Sequence, residues 1–147
     1  MVSVQPISKK TELMRSDRAA PTVSAPADCG SSPIKASLRD LNIAFARSDV
    51  DAILDFFADD IAWHIVGERE IRGRAAARAM LKTMSGAVVS KLTIHSIISD
   101  GRRGAVNGVI TSEPGSAVAF CDVCRFDASG KIDLMKSYTV ELNAGKS

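Results

Sequence analysis

Residues 88–142 run VVSKLTIHSIISDGRRGAVNGVITSEPGSAVAFCDVCRFDASGKIDLMKSYTVEL. Three turn signals, Asp100-Gly101, Pro114-Gly115 and Ser129-Gly130, divide this stretch into four strands at about 88–99, 104–111, 116–126 and 132–142. Loops this short join antiparallel neighbours, because a parallel connection needs a crossover of a dozen residues or more. Upstream the period changes. Ile34, Leu38, Leu41 and Phe45 recur at helical spacing behind Pro33, a good first helical residue. Ser48 then reads as the cap of a second helix, with Val50, Ile53, Leu54 and Phe57 on its buried face and Asp59-Asp60 at its end. Residues 61–66 read as a strand, and a short second strand surrounds Ile71 between Gly67 and Gly73. The alanine-rich segment 74–84, with Ala76, Met80 and Met84 in register, is a third helix. Helices segregated beside an antiparallel sheet give an α+β fold. The expected architecture is three N-terminal helices packed in a strongly curved, mainly antiparallel sheet that forms a cone, with a pocket at its open end.

The 147 residues suit one domain. Residues 1–33 hold four of the five prolines and none of the aromatic side chains. With so little to bury, they cannot offset an ordering entropy of roughly 1–2 kcal/mol per residue. They are expected to be a disordered tail containing Cys29, with the folded unit at 34–147. Nineteen basic residues against 17 acidic ones leave a net charge of +2, which gives no electrostatic reason to expect nucleic acid as a partner. No apolar run has the roughly 20 residues of a membrane span, and the first residues lack the layout of a secretory signal. Three cysteines, an odd number, favour reduced thiols and a cytoplasmic address.

Strand alternation sorts the candidate site residues. On 116–126, Val118, Phe120, Asp122, Cys124 and Phe126 share the larger, more apolar face, which should point inward. Asp122 therefore stands between two phenylalanines, where burial raises a carboxyl pKa and keeps the proton on. Such an acid either donates a hydrogen bond to a ligand oxygen or serves the fold against a helix end or a buried base. Met135, Ser137 and Thr139 share one face of the last strand, and Ile61, Trp63 and Ile65 one face of the first. His64 and His95 fall on the opposite faces of their strands, and without a carboxylate cluster no metal or cofactor is expected. Cys121 and Cys124 have redox C-x-x-C spacing, but positions three apart on a strand face opposite ways, so both read as structural.

Taken together, Ser48-Asp49-Val50-Asp51-Ala52-Ile53, Phe57-Ala58-Asp59-Asp60, Ile71-Arg72-Gly73-Arg74, Cys121-Asp122-Val123-Cys124-Arg125-Phe126 and Ser137-Tyr138 resemble the nuclear transport factor 2-like, or SnoaL-like, superfamily of cystatin-like cones. The resemblance spans 35–142 and implies a small, largely apolar ligand and a homodimer formed through the outer sheet face, where His95, Lys136 and Tyr138 lie. It also implies an isomerase-, cyclase- or hydratase-like enzyme using Asp122 as proton donor, or else a non-catalytic binding or accessory protein. Asp122 matches the oxyanion-hole aspartate of ketosteroid isomerase, which an apolar site keeps protonated. The general-base position of that enzyme falls on Ile65 and its tyrosine position on Leu41. The last-strand aspartate of limonene epoxide hydrolase falls on Ser137, and no charge lies near Val109 or Thr111 where its arginine–aspartate pair would be. The candidate site is Asp122 as the catalytic acid, with Leu41, Trp63, Ile65, Phe120, Cys124, Met135, Ser137 and Thr139 lining the ligand.

Overall fold

The computed structural model describes residues 20–113 and 115–142. Residues 1–19 of the expected tail, Pro114 of the expected turn and the terminal residues 143–147 lie outside the described residues. The first helix, α1, is Pro33–Ala46. Ser32 caps it by accepting the Lys35 amide at 3.2 Å, and Pro33 takes a first-turn position where no donor is needed. Its buried side carries Leu38, Leu41, Asn42, Ala44 and Ala46.

Where α1 ends, the structure corrects the expected cap. Ser48 adopts φ +55, its amide bonds to the Phe45 carbonyl, and the Asp49 amide reaches back to Ala44. This pair of bonds is a Schellman closure, in which a left-handed residue satisfies the last carbonyls. Ser48 is thereby committed to ending α1, and Asp49 caps the next helix by accepting the Ala52 amide at 3.2 Å. That helix, α2, is only Val50–Asp55. Phe57 begins the strand that follows, and Asp59 and Asp60 are exposed strand residues where pairing is irregular.

The described residues form seven strands: β1 (Thr22–Ser24), β2 (Phe57–Ile65), β3 (Arg69–Arg72), β4 (Val89–Asp100), β5 (Arg103–Ser112), β6 (Ser116–Phe126) and β7 (Ile132–Leu142). They form one sheet in the order β1-β4-β5-β6-β7-β2-β3. The β2–β3, β4–β5, β5–β6 and β6–β7 pairs are antiparallel, whereas β1–β4 and β2–β7 are parallel. The third helix, α3 (Arg74–Met84), buries Ala77 and Leu81. Ala76 and Met84 are exposed, so the buried stripe lies one residue away from the expected one. The sheet curls over α1, which packs on β4 and β5 and brings Phe45 edge-on to Trp63 of β2.

Two further expectations change. Residues 20–33 take a defined course: β1 pairs alongside β4, and Cys29 is buried in the core cluster instead of lying in a loose tail. On β4 the register shifts between Ile94 and Ser96, which oppose the consecutive residues Gly108 and Asn107. His95 is the extra residue of a bulge, and a bulge switches the faces of everything beyond it. Leu92, Ile94 and then Ile97 are buried, while Ile98, which unbroken alternation from Leu92 and Ile94 would put on their face, is 65% exposed.

Candidate functional site

The strand registers place inward residues in transverse rows. One row runs Val106 (β5), Asp122 (β6), Ser137 (β7) and Ile65 (β2). The next runs Gly104, Cys124, Met135 and Trp63. All eight are buried, as the alternation of each strand predicts. Among the described residues only three polar side chains are buried: Asn42, Asp122 and Ser137.

Asp122 and Ser137 are direct cross-strand partners. The Trp63 indole N–H donates to Ser137 Oγ at 3.1 Å. Burial pushes the Asp122 carboxyl up to about 6, with the Ser137 hydroxyl acting in the opposite sense by hydrogen bonding to the charged form. Desolvation outweighs that bond because the carboxyl sits among Phe120, Cys124 and Val106 with no cation nearby. The same burial, reinforced by the Asp122 charge, raises the Cys124 thiol well above its ordinary range. Trp63 is held in place by Phe45 and Phe57, whose rings meet it edge-on at 5.9 and 6.0 Å.

The site becomes more open along β7. Met135 is fully buried, Ser137 is 9% exposed and Thr139 is exposed. Exposure of the inward residues therefore rises toward the C-terminal end of β7, where Thr139 lies at the surface. Leu41, Trp63, Cys124 and Met135 form the floor and are core residues at 2% exposure or less. Packing is close there. A described cavity of about 370 Å³ lies instead on the opposite sheet face, lined by Ser96, Ile98, Asn107, Cys121, Tyr138 and Val140.

Neither histidine joins Asp122. His64 is half-buried on the outward alternation of β2, beside Glu70 and Lys136, and His95 is exposed on its bulge. Cys121 is half-buried and Cys124 buried, on opposite faces, so the C-x-x-C spacing brings no thiol pair together. Among the described residues no three His, Cys, Asp or Glu side chains gather as a metal set, and no helix is long and apolar enough to cross a membrane. Sequence reasoning missed Asn42. Its signal was its position, four residues after Leu38 and three before Phe45, which puts a carboxamide on the buried stripe of α1.

The fold is shared with solved structures. An NTF-2-like protein of unknown function from Burkholderia xenovorans superposes with a TM-score of 0.66 at 19% identity, covering 79% of this chain and 88% of that one. An NTF2-like protein of unknown function from Cytophaga hutchinsonii gives a TM-score of 0.55 at 26% identity, covering 71% and 97%. A candidate ketosteroid isomerase from Kribbella flavida gives 0.65 at 15% identity, covering 75% and 79%. No protein of curated function matches the chain. The SnoaL-like domain family matches residues 38–135, which include most of α1, Trp63, Asp122 and the start of β7. A match over that much of the sequence, on a curled sheet with these rows, makes the chain a member of the SnoaL-like domain family within the NTF2-like superfamily.

Proposed function

We propose that the concave face of the sheet takes up a small, largely apolar molecule through its mouth near the end of β7, with Asp122 meeting the ligand's polar atom. The observation that carries this reading is a carboxyl only 7% exposed, on an apolar face, with no cation against it and Ser137 beside it. A structural acid would be expected to sit against a base, and among the described residues no salt bridge reaches Asp122. Below a pH of about 6 the carboxyl holds its proton and can donate to a carbonyl or developing oxyanion; above it, the carboxylate accepts. That supports isomerase-, cyclase- or hydratase-like proton transfer in which Asp122 is the acid. Trp63, Leu41 and Met135 fill the floor, so the ligand is met on the Ser137 side of that row.

Chemical-shift mapping with small cyclic ketones at pH 5 and pH 7 tests the reading. Perturbations centred on Asp122, Ser137 and the Trp63 indole N–H are expected, stronger at pH 5. Shifts confined to the outer face, around Tyr138 and Cys121, would overturn it.

A second reading, a non-catalytic ligand-binding or accessory homodimer, is favoured by the outer sheet face. Ile98 and Val140 are 65% and 64% exposed there, beside Tyr138 and Leu142. Apolar side chains grouped on one sheet face are what a partner copy would cover. Three free cysteines accord with a cytoplasmic setting.

A further inference from the structure

We propose that Trp63 is a positioning residue of the Asp122 site: its indole N–H turns the Ser137 hydroxyl into a donor to one Asp122 oxygen, which leaves the acid's proton on the other oxygen, free for a ligand carbonyl. The inference rests on the reading of Asp122 given above. It starts from a diagonal contact. In the parallel β2–β7 pair, Trp63 stands opposite Met135 and Ile65 opposite Ser137. A side chain at position 63 therefore has to reach two residues along β7 to meet Ser137, a separation that an aromatic group spans and a short side chain does not. The indole does so, donating to Ser137 Oγ at 3.1 Å. Phe45 and Phe57 meet it edge-on and the residue is 2% exposed, so packing holds the direction of that N–H.

The donor inventory gives this bond its consequence. An indole N–H only donates, so Ser137 accepts from it and one hydroxyl lone pair is taken. The hydroxyl keeps one hydrogen and one lone pair. Asp122 is the directly opposed residue on β6, buried on the same face, where facing Cβ atoms are about 5 Å apart. Two arrangements suit such a pair: Ser137 donates to the carboxyl, or a protonated Asp122 donates to Ser137. A hydroxyl that already accepts is polarised into a better donor and a poorer acceptor. The Trp63 bond therefore favours the first arrangement, in keeping with the Ser137 hydroxyl acting against burial on the Asp122 carboxyl. An aspartic acid whose proton is not spent on Ser137 has it to give to a ligand.

The surroundings leave that choice to Ser137. Among the described residues no salt bridge reaches Asp122. Val106 on β5 and Ile65 on β2 complete its row, and the buried side of α1 carries no ionisable group. The titratable neighbours are Cys124 on the same face of β6 and Cys121 on the other. Burial first and the Asp122 charge second push both thiols up, which keeps them neutral where Asp122 titrates.

Replacing Trp63 by benzothienylalanine, which keeps the fused rings and puts sulfur in place of the N–H, tests the inference; Trp63→Phe is the second variant. Carboxyl ¹³C NMR should place the Asp122 midpoint about 0.5–1 pH unit higher in both, the size of one neutral hydrogen bond. Ser137→Ala should raise the midpoint less in either variant than in the native protein, because the two changes act on one contact. Cyclohexanone at pH 5, followed at the Asp122 and Ser137 signals, should bind the benzothienylalanine variant severalfold more weakly. A midpoint unmoved in that variant, or a Ser137→Ala effect of undiminished size there, overturns the inference and makes the indole N–H a purely structural donor. So does cyclohexanone affinity equal to the native protein's. If the native protein binds no cyclohexanone at Asp122, the underlying reading fails and the role of Trp63 falls with it, whatever the titration shows. If cyclohexanone binds there and only the variants behave like the native protein, Asp122 stands and Trp63 alone is dismissed.

Discussion

Asp122 and Ser137 face each other across β6 and β7, and Ser137 simultaneously receives the indole N–H of Trp63 at 3.1 Å. Ser137 thus holds the indole of the only tryptophan and stands beside the most buried acid described in the sheet. A carboxyl raised to about 6 by burial is poised to exchange a proton near neutral pH, and the Ser137 hydroxyl acts against that rise.

The first prediction concerns that titration. Carboxyl ¹³C NMR should give Asp122 a midpoint of about 6, far above the ordinary 3.8, and Ser137→Ala should raise it further by removing the bond that favours the charged form. Because the folded state holds this proton more tightly than the unfolded chain, the associated stability is full below about pH 3.8. It is lost as pH rises to about 6 and stays lost above. A shift of this size corresponds to about 3 kcal/mol. Asp122→Asn should flatten the decline of urea stability across pH 4 to 6. An unchanged slope, or a midpoint near 4, would refute the assignment.

Gly108 supports the second. A Cβ there would collide with the Thr93 carbonyl oxygen, beside the bulge at His95. The obstructing atom is backbone, so it cannot rotate away. Gly108→Ala should cost about 2–3 kcal/mol in chemical denaturation, a typical overpacking penalty. A loss under about 0.5 kcal/mol would mean that the bulge is not held in solution.

The same bulge marks the limit of what alternation reveals. From Ile61 to Ile65 on β2, from Phe120 to Phe126 on β6 and from Met135 to Ser137 on β7 the inward residues alternate, so Asp122, Ser137, Trp63 and Phe120 are legible as one face, whereas register shifts bring Ile132 and Ala58 inside out of step. Parity failed at Ile98 because an inserted residue leaves no mark in hydrophobicity, only in the partner strand's glycine. The length of α2 was misjudged because Phe57 satisfies both a helical and a strand period, and tertiary pairing with Ile132 chose the strand. Cys29 was assigned to a tail because a segment without large apolar groups gives no burial signal, yet one small thiol fits the core. Asn42 escaped notice since a search for charged groups passes over a neutral amide on an apolar stripe.

Ser48 offers a third test. It holds φ +55 at the Schellman closure of α1, a conformation that glycine adopts without a Cβ penalty. Its side chain does not cap α2, a task that Asp49 performs. Ser48→Gly should therefore stabilise the protein by about 0.5–1 kcal/mol. Destabilisation would show instead that the Ser48 hydroxyl supports the junction between α1 and α2.

The fourth prediction separates the two faces of the sheet. Ile98 and Val140 project outward at 65% and 64% exposure, and both line the outer groove with Tyr138. By register both stand on the face opposite the Asp122 side chain, because each strand turns successive residues to opposite sides. Ile98→Asp combined with Val140→Asp places two charges where a homodimer would exclude water, and uncompensated charge at the centre of an apolar contact is strongly unfavourable. Light scattering at micromolar concentration should show a dimer for the native protein and a monomer for the double variant. The Asp122 midpoint should stay near 6 in both, since its environment is set by the inner face. A native monomer would remove the homodimer from the proposed function; loss of the raised midpoint in the double variant would show that assembly is needed to shape the concave site.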